Sequence, residues 1–305
     1  MNDKWHGIAF HGHLHVDGIH LKNEAGDKVV LHGMSSHGMQ WYPQFAQTAA
    51  LQTTKRAGAN VFRIAMYTEE GGYFSDQSIV ANVCKAVDET LALDMYAIID
   101  WHILFDNDPL AHVEEAKAFF DDISKKYSNE PGVIYEICNE PNGADVTWGG
   151  SVKPYAQQVI PVIRNNAPDA LILVGCPTWS QDVDICAADP LDFDNIMYTL
   201  HFYAGTHGDE LRSKCSKALS MGAPVFVSEW GTSAADGSGG VFIRESDIWL
   251  DFLAKNDISW CNWSLGDRDE TSAALLPGAP FGNWTAEQLS ESGRYVFAKL
   301  KESIS

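Results

Sequence analysis

At 305 residues and 45% apolar composition, the chain has enough material for a large buried core, in a length that an α/β barrel fills as one domain. Its 41 acidic residues against 21 basic ones leave a net charge of −20, which argues against nucleic acid and anionic membrane as partners and suits a neutral substrate or plain solubility. No apolar run approaches the roughly 20 residues that span a bilayer, and Met-Asn-Asp-Lys-Trp-His at the start shows no basic-then-apolar leader pattern, as expected of a secreted protein without its leader or of a cytoplasmic one.

The first 28 residues stand apart. Leu14-His-Val-Asp-Gly-Ile-His-Leu21 followed by Asn23-Glu-Ala-Gly-Asp27 carries Asp-Gly and Gly-Asp turn signals and predicts a β-hairpin, a lid for the closed end of a barrel. Short apolar runs then alternate with amphipathic stretches. The spacing predicts strand 29–35 and helix 45–56, strand 60–66 and helix 79–93, strand 96–102 and helix 112–127, strand 133–140 and helix 152–165. It continues with strand 170–176 and a short helix near 181–187, strand 196–203 and helix 210–220, strand 224–230 and helix 244–255, and strand 259–265 and helix 286–301. The runs are nearly continuous in hydrophobicity, as strands covered on both faces of a parallel sheet must be. Eight such units predict a (β/α)8 TIM barrel spanning 1–305 as one domain, without a carbohydrate-binding module. A doubly wound open sheet would carry a Gly-rich nucleotide fingerprint, which is absent.

The six cysteines, Cys84, Cys138, Cys176, Cys186, Cys215 and Cys261, form no C-x-x-C pair, so zinc-ribbon and thioredoxin readings have no support. Cys138, Cys176 and Cys261 fall in or at the end of apolar runs and read as small buried hydrophobes. One disulfide is possible, and spacing alone leaves its pairing open.

In such a barrel the reactive groups lie at the C-terminal ends of the strands. Those ends carry Arg63, Asp100-Trp-His102, Cys138-Asn-Glu-Pro141, Leu200-His-Phe-Tyr203, Ser228-Glu-Trp230 and Asn262-Trp-Ser264. Polar groups at the mouth of an apolar barrel are costly unless they pair or act. Glu140 and Glu229 close apolar strands three apart, which puts them across the mouth within reach of each other. Two carboxylates in different surroundings are the requirement of glycoside hydrolysis, one protonated to donate and one ionised to attack.

Ile137-Cys-Asn-Glu-Pro-Asn-Gly143 is similar to the Asn-Glu-Pro signature of glycoside hydrolase family 5, which lies in the clan of retaining (β/α)8 glycosidases. Val61-Phe-Arg-Ile64, Asp100-Trp-His102, His201-Phe-Tyr203, Val227-Ser-Glu-Trp-Gly231 and Asn262-Trp-Ser-Leu265 resemble the same family in the expected order. The resemblance implies a retaining endo-β-1,4-glucanase (cellulase) with Glu140 as acid/base and Glu229 as nucleophile. It implies that Asn139 holds the 2-hydroxyl of the attacked sugar, that Arg63 keeps Glu229 ionised, that Tyr203 hydrogen-bonds Glu229, and that His201 and His102 complete the polar floor. Trp263 would stack under the sugar beside the scissile bond, aimed there by a cis peptide bond between Trp263 and Ser264. The segment 33–42 resembles the first-strand loop of bacterial cellulases, so His37, Trp41 and Tyr67 would line the glycone side. Trp179 would stack the first aglycone sugar, and Arg268 and Glu270 would bind sugars further out. Trp5, Trp249 and Trp260 read as packing residues.

No metal and no cofactor is expected. The partner expected is β-1,4-glucan, as cellulose or cello-oligosaccharides, met by a monomer outside the cell. Without a binding module, soluble or amorphous glucan should be preferred to crystalline cellulose. Mannanase or xylanase activity is the alternative within the family. A metal-dependent amidohydrolase is the rival outside it, because His11-Gly-His-Leu-His15 contains a His-x-His metal pattern. A non-catalytic sugar-binding barrel would have lost one of the two glutamates.

Overall fold

The computed structural model describes residues 6–303; Trp5, expected to pack, lies outside them. A one-turn helix, α1 (Ile8–His11), and a hairpin of β1 (His15–Asp17) and β2 (His20–Lys22) come first. Eight parallel strands follow: β3 (His32–Ser36), β4 (Val61–Tyr67), β5 (Tyr96–His102), β6 (Val133–Glu136), β7 (Leu171–Val174), β8 (Ile196–Tyr203), β9 (Val225–Gly231) and β10 (Trp260–Leu265). They close in the order β10-β3-β4-β5-β6-β7-β8-β9. The connections hold α2 (Thr48–Arg56), α3 (Ile79–Ala92), α4 (Val113–Lys126), α5 (Lys153–Asn166), α6 (Pro177–Ser180), α7 (Val183–Ala188), α8 (Asp209–Ser220) and α9 (Ile243–Lys255), with α10 (Glu291–Glu302) after the last strand. The fold is the (β/α)8 barrel that the pattern implied.

Each strand divides its side chains between two cores, because successive residues point to opposite faces. On β4, Phe62, Ile64 and Met66 face the surrounding helices. Val61 faces the barrel interior near its closed end, and Ala65 and Tyr67 lie at the mouth. Arg63 falls between them on the inward set and is fully buried. The hairpin seals the closed end: Leu14 and Leu21 pack with Leu31, Tyr96, Ile134, Leu171 and Phe226. Its turn uses Gly18 at φ +61°, a left-handed conformation in which glycine meets no steric penalty.

Strand β9 departs from simple alternation. Thr199 and His201 pair with Phe226 and Glu229, and Trp260 and Asn262 pair with Val227 and Trp230. Both neighbours therefore spend two residues against three on β9, a bulge within Val227–Glu229. Adjacent residues Ser228 and Glu229 can then both face inward, which a regular strand forbids.

Several boundaries differ from expectation. The predicted helix 45–56 is split: Pro43–Ala46 forms a 3-10 turn and α2 starts at Thr48. Helix 286–301 begins only at Glu291, where the Ser290 side chain accepts from Gly293 N at 2.9 Å, a hydroxyl cap that satisfies a free N–H of the first turn. Strand 133–140 keeps ladder geometry only to Glu136. Beyond it, Ile137 N donates to Leu173 O and Asn139 N to Trp101 O, so 137–140 stays anchored to both neighbours while leaving the strand. Helix 181–187 is α7, preceded by the distorted turn α6, in which Thr178, Trp179 and Ser180 all have positive φ.

Candidate active site

The C-terminal ends of the strands surround a cleft of about 1250 Å³. Glu140, Glu229, His201, Tyr203, His102, His37, Trp41, Tyr67, Trp179, Trp263, Arg268 and Glu270 all line it. Arg63 and Asn139 do not; they lie fully buried beneath it. Every residue expected from the sequence to catalyse, support or bind is thus in the cleft wall or its floor.

Arg63 organises the floor. Nη1 donates to Glu229 Oε2 at 2.9 Å, Nε to Glu136 Oε2 at 2.7 Å, and Nη2 to Asn139 Oδ1 at 2.7 Å. Nη2 also lies 3.0 Å from Asp100 Oδ2. A guanidinium meeting three buried carboxylates satisfies charges that would otherwise be prohibitive to bury. Burial works to raise Glu136, but Arg63 and His201 outweigh it and hold that carboxyl down to about 2.

The two glutamates are treated oppositely. Burial, reinforced by the nearby Glu229 charge, raises the Glu140 carboxyl above the usual carboxylate range. Burial also opposes ionisation of Glu229, yet His201, Arg63 and a hydrogen bond from Tyr203 hold it below that range. The Tyr203 hydroxyl donates to Glu229 Oε1 at 2.7 Å, and burial keeps that phenol protonated. One oxygen of each glutamate and a nitrogen of His201 lie mutually within 4.8 Å.

Hydrogen-bond valence settles where the protons sit. Ser228 Oγ lies 2.6 Å from Glu136 Oε1 and 2.9 Å from His201 Nε2. Ionised Glu136 only accepts, so the single hydroxyl proton goes to it and His201 Nε2 must carry hydrogen. The remaining proton lies between His201 Nδ1 and Glu140 Oε1, 2.9 Å apart. Burial lowers His201, but the Glu229 charge and the neighbouring Glu136 and Glu140 carboxyls overcome it and raise the ring to about 9; the pair titrates as a unit. His102 is the reverse case, lowered by burial to about 3. As a neutral ring it donates Nδ1–H to Asp100 Oδ2 at 2.6 Å, leaving Nε2 to accept from Asn139 Nδ2 at 3.3 Å. Asn139 also donates to Ile103 O at 3.0 Å, so both of its amide hydrogens are engaged.

The outer cleft is aromatic. Trp263 stacks on His102 with centroids 5.3 Å apart, and the Trp263–Ser264 peptide is cis. Trp41 and Trp179 are 40% and 46% exposed, an exposure that leaves their faces free for a ligand. Arg268 bridges Glu270 at 3.1 Å and His37 at 3.2 Å. Trp249 and Trp260 are buried, as expected of packing residues.

Sequence reasoning passed over Glu136 and Phe105, and named Ser228 at its strand end without giving it a role. The signal for Glu136 was present: a lone acid inside an apolar strand demands a buried cation. Ser228 gave none, because period-2 reading turns it away from Glu229. Phe105 is 63% exposed in the cleft wall, an aromatic inside a polar loop.

Glu140, His201 and Glu229 converge closely enough to hold a cation. Arg63 already supplies positive charge to Glu229, and both His201 nitrogens are engaged, so a metal would displace bonds already made. The His-x-His pattern falls on α1 and the hairpin, at the closed end. Among the described residues no helix is long and apolar enough to cross a membrane.

The chain matches cellulase (glycosyl hydrolase family 5) over residues 22–269 and belongs to that family. It is 55% identical to Endoglucanase A of Evansella cellulosilytica over 92% of this chain and 58% of that protein. It is 49% identical to Endoglucanase 5 of Pectobacterium carotovorum subsp. carotovorum over 96% of this chain and 58% of that protein. The chain thus spans somewhat over half the length of these curated relatives. Among solved structures, cellulase Cel5C_n superposes with a TM-score of 0.93 at 45% identity, covering 98% of this chain and 95% of that one. The catalytic domain of Thermobifida fusca endoglucanase Cel5A in complex with cellotetraose gives 0.92 at 35% identity, covering 96% of this chain and 99% of that one.

Proposed function

We propose that the chain is a retaining endo-β-1,4-glucanase in which Glu229 is the nucleophile and Glu140 the acid/base. The observation that carries this reading is the glutamate pair: carboxylate oxygens within 4.8 Å, one carboxyl raised and the other lowered. Retaining enzymes hold their carboxyl groups about 5–5.5 Å apart, inverting ones about 6.5–9.5 Å to admit a water.

Glu229, ionised beside Arg63, attacks the anomeric carbon. Glu140 gives its proton to the departing glycosidic oxygen, and a glycosyl–Glu229 ester forms. Esterification removes the Glu229 charge, which lowers the proton affinity of both Glu140 and His201. Glu140 is then a base, and it takes a proton from the water that opens the ester with a second inversion. Tyr203 orients Glu229, and His201 holds the proton of Glu140. Trp263 stacks the sugar at the scissile bond, Trp179 the leaving sugar, and His37, Trp41, Tyr67, Arg268 and Glu270 the glycone side.

The substrate is β-1,4-glucan, a reading supported by the endoglucanase relatives and the cellotetraose-bound neighbour. A polymer cannot enter the cell, so the site of action is extracellular. All the proposed groups come from one barrel, so a monomer suffices.

Azide separates the two roles. Glu140→Ala with an aryl glycoside should accumulate the ester, and azide, which needs no base, should restore turnover as the β-glycosyl azide. Glu229→Ala should yield the α-azide by direct attack. Reversed stereochemistry by NMR would exchange the two roles. Undiminished activity of either variant on cello-oligosaccharides would end the assignment.

A further inference from the structure

Cys176 and Cys186 sit at the two ends of the segment that presents Trp179. Cys176 follows β7 and precedes α6, Cys186 lies within α7, and their Sγ atoms are 2.9 Å apart. Both side chains are fully buried. We infer that Cys176 and Cys186 form a disulfide that ties the Trp179 platform to the barrel. The two sulfurs need to approach by less than one ångström to reach the roughly 2.05 Å of a bond. This inference stands apart from the catalytic assignment.

The segment between them explains what such a bond would do. Thr178, Trp179 and Ser180 have φ of +58°, +53° and +55°, three consecutive residues in a region that side chains with a Cβ rarely enter. Such a conformation persists only where its surroundings enforce it. Existing restraints converge on the same base: Ser180 N donates to Cys176 O at 3.0 Å, and Ser180 Oγ donates to Asn139 O at 2.6 Å. A cross-link over this interval would hold the turn, and with it an indole that stands 46% exposed over the cleft. Cys138 is also buried nearby, but its Sγ faces Gly175 O at 3.9 Å. Cys84, Cys215 and Cys261 lie on α3, α8 and β10.

The oxidant is a small-molecule disulfide. The thiolate of one cysteine attacks it, releasing one small thiol and leaving a mixed disulfide. The second cysteine displaces the other small thiol, so two protons and two electrons leave the protein as two reduced thiols. Burial raises both native thiols, which makes them poor attackers once packed. The bond therefore forms while the segment is still open during folding.

The test is to refold the whole chain in oxidised and reduced glutathione, quench with acid, denature, alkylate and weigh it. Four alkylated cysteines are expected, rising to six after reduction, with a 176–186 cross-link in the peptide map. Reduction should lower the wild-type thermal midpoint by on the order of 5 °C and leave that of Cys176→Ala/Cys186→Ala unmoved. Six alkylated cysteines from the oxidising buffer, or a protected pair that includes Cys138, would overturn the inference.

Discussion

Ser228→Ala tests the proton arrangement at Glu140, the proposed acid, without altering either candidate catalytic glutamate. The hydroxyl accepts His201 Nε2–H at 2.9 Å and passes the interaction to ionised Glu136 at 2.6 Å. Its removal deprives the imidazolium form of an acceptor, and it frees neutral His201 to adopt the other tautomer, whose Nδ1–H stabilises Glu140 as a carboxylate. Both effects loosen the shared proton. The other groups around the pair, Arg63, Glu229, Tyr203 and Glu136, whose Oε1 lies 3.7 Å from His201 Nε2, remain in place. A hydrogen bond to a charged group contributes about 1.5 kcal/mol at the low end, and 1.36 kcal/mol corresponds to one pKa unit. On the proposed assignment of Glu140 as the acid, only the protonated pair can donate, so the alkaline limb of kcat/KM should move toward lower pH by about one unit. kcat/KM for aryl cellobiosides reports glycosylation. Poor leaving groups, which need the proton, should suffer more than good ones, which do not. Ser228→Thr keeps the hydroxyl and should keep the limb. An unmoved limb, with a uniform rate loss across leaving groups, would mean that Ser228 merely packs.

Tyr203→Phe should lower kcat by about 10²-fold with little change in KM, because the hydroxyl touches Glu229 rather than outer sugars; steady-state kinetics showing the opposite split would assign Tyr203 to binding. Trp179→Ala should lower kcat/KM on cello-oligosaccharides roughly tenfold, about 1.4 kcal/mol of lost ring contact, and should shift the bond cleaved in end-labelled cellopentaose; an unchanged cleavage pattern would count against the platform. Leu21→Ala, at 1% exposure in the plug at the closed end, should cost about 2–5 kcal/mol in urea unfolding while leaving kcat of the folded enzyme unchanged; a small loss would mean the hairpin only rests on the barrel.

Much of this molecule is legible in its sequence. The eight strands stand out because strands covered on both faces must be apolar throughout, and the candidate site residues stand out because each interrupts or closes such a run. Arg63 is an instance: a cation amid Val61, Phe62, Ile64 and Ala65 can only be buried against carboxylates. Helix starts were less legible, since capping by Ser290 or a break at Gln47 depends on one hydrogen bond or one dihedral. Only the tertiary structure decided the rest. The bulge that turns both Ser228 and Glu229 inward is a property of pairing with β8 and β10, not of β9 itself. The left-handed turn under Trp179 and the meeting of Cys176 with Cys186 depend on packing between β7, α6 and α7. Glu136 acquired a role only when Arg63, two strands away, reached it. Periodicity records which face a residue prefers; register, which couples one strand to the next, decides whom it meets.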